Sequence, residues 1–331
     1  MVIHQGKKGE ISEGILQTET GTCYPVLEGL PRLLPDAMLE FGDYLQQHLP
    51  DFKKRHSNAM NLYGPAIDTA RRKNLRTRRS FSAEWEGHDY SKGKTWELGI
   101  EEQVKRFFKE CGENPESIRG KWMLDAGCGN GHLAMEIAAL GARVFALDFS
   151  DSVLQAQRMN QHHECHFIQG DVEFPPFEPC SFDLVHSSGV LIHTRNTRNS
   201  FRRLSEFVKP LGKISIWVYR KRKEAIHRLF NLIRQFTSRL PTALQQIILR
   251  LFIFYPALLM KRLKGNQQIQ NELWVEVLDW FTPEFRWEHE EEEVKSWFEE
   301  QKFSEILVSD NNYWGFNVTG IRSIQESLMP D

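Results

Sequence analysis

The chain has 331 residues, 40% of them apolar and 26% charged, enough for one sizeable core or one core with a small satellite. A formal net charge of −2 argues against a wholesale nucleic-acid binder. The five scattered cysteines, with no CxxC pair, argue for reduced thiols rather than a disulfide framework.

Residues 1–45 contain the Pro/Gly-punctuated, β-like run YPVLEGLPRLLP, and 46–119 read as a linker and helical cap that includes the basic RRKNLRTRR, a solvated connector. The N-terminus lacks the apolar segment of a signal peptide. From 120 to 220 short apolar runs alternate with helical patterns. WMLDAG reads as a strand, Gly131 to Leu140 as a helix closed by Gly141, and ARVFALD as the next strand. Ser150 then reads as the N-cap of a helix. CHFIQGD, FDLVHSS and KISIWVY supply three more strands, with a helix between the last two that ends near Pro210 and Gly212. Such alternation predicts an α/β, doubly wound parallel sheet with ligands at the carboxyl ends of its strands.

Residues 221–277 read as a helical insertion whose first helix sets Ile226, Leu229, Phe230, Ile233 and Phe236 on one face, with basic residues around them. The most apolar run, Leu251 to Met260, is too short to span a bilayer and is interrupted by Pro256, so a soluble, cytoplasmic protein is expected. Residues 278–331 return through LDWFTPEFRW, the helix EEEEVKSWFEEQ and two β-like segments, FSEILVSD and YWGFNVTGI.

Gly127, Gly129 and Gly131 follow a strand and open a helix, which suits a tight turn with a ligand pressed against bare backbone. Asp148 closes the second strand, where a carboxylate can accept ribose hydroxyls. A dinucleotide fingerprint places its third glycine three positions after the second, whereas Gly131 comes after two and His132 occupies the expected site. Asp125 would repel a pyrophosphate and suits a cationic amino-acid tail. Ribose, adenine and ammonium together describe S-adenosylmethionine rather than NAD.

The stretches LDAGCGNG, ALDFS, GDVEFPPF and FDLVHSSGVLIHT, in that order and spacing, resemble class I S-adenosylmethionine-dependent methyltransferases. The resemblance is dense from Lys121 to Tyr219 and resumes from Leu278 to Ile321. It implies a seven-stranded sheet whose last strand is antiparallel. By the same resemblance, Asp125, Gly127, Gly129 and Gly131 hold the methionine part, Asp148 the ribose and Asp171 the adenine amino group, with Cys128 and Phe149 also at the cofactor. Val172 would give its backbone N–H to the ring, Ser187 would face the sulfonium, and Trp85 would cap the pocket. EGILQTETGTCYPVLEGLPRLLP resembles the second half of the small zinc-ribbon domain that activates tRNA methyltransferases. Cys23 alone cannot build a tetrahedral site, so a metal-free flap is expected.

His193, on the loop over the transferring methyl group, is the candidate base, and His289 could reach the same cleft. His186 is expected to pack within its strand. His162, His163, Cys165 and His166 point to opposite faces as they enter a strand, and no metal site is expected there. The insertion has three readings: a lid over the pocket, a peripheral membrane helix, or the interface of a homodimer. The lid is expected. With Trp85, Trp96, Tyr219, Trp280, Phe281 and Trp287 near the mouth, the expected reaction is methyl transfer to a small or medium-sized, apolar, lipid- or glycan-linked acceptor. Alternatives are a tRNA or rRNA methyltransferase, disfavoured by the net charge and by HSSG where an NPPY-type motif would stand, and a non-catalytic cofactor-binding scaffold.

Overall fold

The computed structural model describes residues 2–5, 11–85, 99–222, 224–240, 242–263 and 270–324. Strands β1 (Val2–Gln5), β2 (Ile11–Gln17), β3 (Cys23–Leu27) and β4 (Leu30–Pro31) form an antiparallel sheet in that order. Helices α1 (Ala37–Glu40), α2 (Gly42–His48) and the long α3 (Phe52–Trp85) follow.

The second sheet begins after α4 (Ile100–Cys111). Its elements are β5 (Trp122–Ala126), α5 (His132–Ala139), β6 (Arg143–Asp148), α6 (Ser152–Met159), β7 (Cys165–Gln169), β8 (Phe182–Ser188), α7 (Thr197–Ser205) and β9 (Val208–Tyr219). The insertion contributes α8 (Ala225–Thr237), α9 (Thr242–Leu249), α10 (Tyr255–Leu263) and α11 (Gln270–Phe281). The chain then completes the sheet with α12 (Glu291–Glu300), β10 (Phe303–Ser309) and β11 (Gly315–Arg322). The order is β10-β11-β9-β8-β5-β6-β7, with β11 antiparallel to both neighbours and β9, β8, β5, β6 and β7 mutually parallel.

Alternate residues of the central strands feed two cores. Leu124, Leu147, Val185 and Ile214 meet Phe201 and Phe298 on one face, while Met123, Val144, Phe167 and Leu184 meet Phe107 and Ile137 on the other. Burial on both faces explains why these strands read as unbroken apolar runs. Strand order reverses between β5 and β8, which opens the ligand crevice outside their carboxyl ends.

Two boundaries differ from expectation. Helix α6 starts at Ser152 with Asp151 at its N-cap, because the Ser150 N–H donates to Asp148 Oδ1 at 2.8 Å and holds Ser150 in the turn. Helix α7 ends at Ser205, and Pro210 and Gly212 lie inside β9, where a register shift against β8 and a positive φ of 63° at Leu211 absorb them.

The small sheet docks on β7, the edge of the large one. The Leu33 N–H donates to the Gln169 carbonyl at 2.7 Å, Arg32 Nη1 to Gln169 Oε1 at 2.6 Å, and Arg158 grips both oxygens of Glu28 at 2.7 Å. An otherwise open edge is thereby covered.

The insertion has its own core, in which Leu249, Phe254, Leu258, Leu273, Val277, Leu278 and Phe281 meet. Phe230 and Ile233 pack against it as the predicted stripe requires, but Phe236 is 66% exposed. Pro256 does not interrupt the apolar run. A π-helical turn over Arg250–Phe254, closed by the Tyr255 N–H on the Arg250 carbonyl, joins α9 to α10 and sets Pro256 in the first turn of α10. The joined helix holds a 20-residue stretch, Leu244–Leu263, of mean hydropathy 1.3, long and apolar enough by length and composition to cross a membrane.

Candidate active site

The chain leaves β5 at Ala126 and turns through Gly127, Gly129 and Gly131, all at positive φ (90°, 56° and 72°). A Cβ on Gly127 would lie 2.3 Å from Val190 Cγ2, and one on Gly131 would lie 2.4 Å from the Phe167 ring. The turn's own packing therefore demands two of the three glycines. Asp148, at the end of β6, is buried and accepts the Gly129 N–H through Oδ2 and the Ser150 N–H through Oδ1, each at 2.8 Å. Burial pushes its carboxyl upward, and these bonds with the backbone pull the other way. The Ser150 hydroxyl also bonds this carboxylate, which keeps a further acceptor position for a ribose hydroxyl.

Half-buried Phe149 follows Asp148. Asp171, just past β7, is buried and accepts the Glu173 N–H at 2.8 Å, and Val172 beside it enters the core. Acids thus stand at the carboxyl ends of three adjacent strands: Asp125, Asp148 and Asp171. Past β8, Gly189 lies at φ 73° with nothing within 4 Å of the Cβ it lacks, which leaves open space beside the strand-order switch. Acids suited to an ammonium, a ribose and an adenine amino group, around open backbone, fit S-adenosylmethionine. Burial and the Asp148 and Asp125 carboxylates push the Cys128 thiol well above its ordinary value, so it lines the turn as a neutral thiol.

Asp125 has a partner that sequence reasoning missed. Parallel pairing sets it opposite His186, whose Nδ1 lies 3.1 Å from Asp125 Oδ1 and whose Nε2 lies 3.5 Å from Glu110 Oε2. His186 is 2% exposed, with its ring edge-on to Phe107. Burial alone would push its pKa down, but the two carboxylates override this and raise it to about 9. Burial would likewise raise Glu110, yet His186 and Arg106 hold it below its ordinary value. Arg106 joins Glu110 Oε1 at 2.7 Å and Asp310 Oδ2 at 2.9 Å. A row of alternating charge, buried at Asp125, His186 and Glu110 and half-buried at Arg106 and Asp310, therefore runs away from the glycine turn. A histidine and a glutamate on separate apolar faces were the available signal, but only strand register brings them together.

Ser187 is corrected. It is fully buried and its hydroxyl donates to the Ala126 carbonyl at 2.8 Å, so it ties β8 to β5 instead of facing the sulfonium. The side chain of Trp85, the last residue of α3, lies outside the described residues, as does Trp96. His166 points outward from β7 while Cys165 points inward. Among the described residues no group of three or more His, Cys, Asp or Glu could hold a metal ion.

His193 closes a 3-10 turn, Leu191–His193, past β8. Its Nδ1 lies 3.0 Å from the Phe285 carbonyl, and its ring stands edge-on to Tyr219, at the end of β9, with centroids 6.1 Å apart. The segment carrying Phe285 is pinned over this turn: the Trp287 N–H donates to Ile192 O at 3.0 Å and Trp287 Nε1 to Thr194 O at 2.9 Å. Arg286, also unforeseen, is 6% exposed, with its Cζ 4.0 Å from both the Tyr219 and Trp280 ring centroids. Its Nη1 donates to Glu288 Oε1 at 2.6 Å. A guanidinium held between aromatic faces keeps its charge with little hydration. Phe281, expected at the mouth, turns into the insertion core against Phe230. His289 is corrected as well. Its Nε2 meets Thr197 Oγ1 at 2.9 Å, its Nδ1 meets Glu293 Oε2 at 3.2 Å, and its ring lies edge-on to Trp297. Its side chain joins α7 to α12, while its N–H donates to the Tyr219 carbonyl at 2.8 Å.

Residues 124–216 match a family model described as a methyltransferase domain. The malonyl-acyl-carrier-protein O-methyltransferase of Erwinia pyrifoliae is 37% identical over 92 residues, 28% of this chain and 35% of that protein. The mitochondrial ubiquinone biosynthesis O-methyltransferase of Schizosaccharomyces pombe is 32% identical over 114 residues, 33% of this chain and 41% of the relative. The chain therefore spans well under half the length of these relatives. The crystal structure of magnesium protoporphyrin IX methyltransferase from Synechocystis PCC 6803 with bound SAM aligns with a TM-score of 0.46 at 15% identity, covering 76% of this chain and 97% of that one. Sheet order, the acid–glycine turn and the family match make residues 124–216 a methyltransferase domain whose cofactor is S-adenosylmethionine.

Proposed function

We propose that the chain transfers the methyl group of S-adenosylmethionine to an oxygen of a small or medium-sized acceptor with an apolar or lipid-linked body. The observation that carries this reading is the opposition of two walls at the carboxyl ends of the strands. Asp125, Asp148 and Asp171 stand on the β5–β6–β7 side of the switch point, and His193, Tyr219, Trp280 and Arg286 on the β8–β9 side. Both relatives described above are named for O-methylation, which supports an oxygen acceptor.

Asp148 would hold the ribose hydroxyls, Asp171 and the Val172 N–H the adenine, and Asp125 the ammonium end. The cofactor supplies a methyl group already activated on a sulfonium. Because His193 Nδ1 faces a carbonyl, which only accepts, the neutral imidazole carries its proton there and offers Nε2 as the base. A hydroxyl acceptor laid against Tyr219 would give its proton to Nε2, while the bound cofactor would supply the methyl group and leave as its neutral thioether. Alignment of the reacting atoms supplies much of the remaining rate. Arg286 suits a carbonyl, carboxylate or phosphate beside the reacting oxygen. The small N-terminal sheet, in the same proposal, is a metal-free flap.

Methyl-labelled S-adenosylmethionine offered with lipid-tailed phenols and with total RNA tests this reading. Label is expected in the organic acceptor. Label in RNA would overturn the acceptor class, and NADH binding as tight as that of S-adenosylmethionine would overturn the reaction class.

A further inference from the structure

We propose that the outer face of α9 and α10 docks the protein on an anionic lipid bilayer. Along this joined helix Ile247, Leu251, Phe252, Tyr255, Leu259 and Leu263 are each more than half exposed, Phe252 at 71% and Leu263 at 79%. Only 17% of the most apolar 18 residues within Leu244–Leu263 is buried. Apolar positions on the opposite side, Leu249, Phe254 and Leu258, fill the insertion core. A helix apolar on both sides has one side met by the chain and one side left to an apolar partner.

Charge identifies that partner. From Ala225 to Asn271 the sequence has no Asp or Glu and seven Lys or Arg, in a chain of net charge −2. A second copy of this face would bring Arg250, Lys261 and Arg262 together with their counterparts, whereas anionic head groups neutralise them. On the helix itself Arg250 and Arg262 are exposed beside the apolar row.

The helix lies in the interface instead of crossing it. Phe254 packs edge-on against Trp274 of α11 at 5.5 Å, and Gln245 Nε2 donates to the Phe281 carbonyl at 3.4 Å. Crossing the bilayer would tear this inner face from its core, while an in-plane position buries the outer face and leaves the inner one in place. Helix α11 links the surface to the site, since Trp274 meets the docking helix and Trp280 meets Tyr219. On the methyl-transfer reading above, a docked chain would draw a lipid-tailed acceptor directly from the bilayer.

Flotation of the full chain with phosphatidylcholine vesicles, with and without about 30 mol % phosphatidylglycerol, tests docking without any acceptor. The chain should float with the anionic vesicles and be largely released by high salt. The double variant Phe252→Glu, Leu259→Glu should lose flotation at least about tenfold while its affinity for S-adenosylmethionine stays unchanged. Lys261→Gln with Arg262→Gln, a milder pair, should weaken binding to anionic vesicles about thirtyfold and leave binding to neutral ones unaltered. No flotation of the wild-type chain, flotation indifferent to both pairs, or a dimer that the glutamates dissolve would each overturn the proposal. Failure of methyl transfer would leave flotation intact, so the two readings fall separately.

Discussion

Asp148 does two things with one carboxylate, bracing the glycine turn through two N–H groups and offering its remaining lone pairs to a ribose. Asp148→Ala should weaken S-adenosylmethionine binding by about 1–3 kcal/mol and also lower the melting temperature. Unchanged affinity by calorimetry would remove the ribose role. His193→Gln should cut kcat by about 10²–10⁴ with cofactor affinity preserved, and an unaltered kcat would discard Nε2 as the base. His186 gives a pH signature. Its folded pKa is raised to about 9 from an ordinary 6.5, so its stabilisation is complete below about pH 6.5 and disappears as pH climbs through 9. A melting temperature that falls across that window in the wild type and stays flat in His186→Asn would fit. Removing one member of so buried a pair should cost about 3–5 kcal/mol at neutral pH. Parallel slopes in the two proteins would show that His186 is neutral in the fold.

At the scale of elements, the insertion forms a core separate from the two sheet faces, so it should open on its own. Phe281→Ala should cost about 3–5 kcal/mol locally. Hydrogen exchange should then quicken in α8 to α10 while β5 and β6 stay protected, and uniform quickening would contradict an independent unit. The same separation explains what the chain let be read in advance. β5 to β8 were legible nearly to the residue because strands buried on both sides are unbroken apolar runs ended by Gly, Asp or Ser. Local signals misled where backbone context supplied an alternative. Pro210 and Gly212 look like a helix stop yet sit in a bulged strand, and Pro256 looks like a breaker yet follows a π turn. The acids at the strand ends stood out through spacing. The His186–Asp125 pair and the Arg286–Tyr219 contact did not, since they join residues 61 and 67 apart in sequence that only the tertiary fold brings together.

For the whole molecule, the small sheet and the large one act as a unit joined along β7. With Cys23 the one cysteine before residue 111, purified protein should contain no stoichiometric zinc, and chelator should leave its melting temperature unchanged. Elemental analysis finding one zinc per chain would reverse this. The seam joins the Leu33–Gln169 ladder bond, the Arg32 contact and the exposed Arg158–Glu28 pair to Leu30, which is fully buried in the core that holds Phe167 and Ala156. Covalent continuity gives the flap an effective concentration of about millimolar, independent of how much protein is present. Dilution should therefore never uncover β7, but a single proteolytic nick between Pro31 and Phe52 should. The freed edge could then recruit strands from neighbouring molecules and seed a slowly growing aggregate.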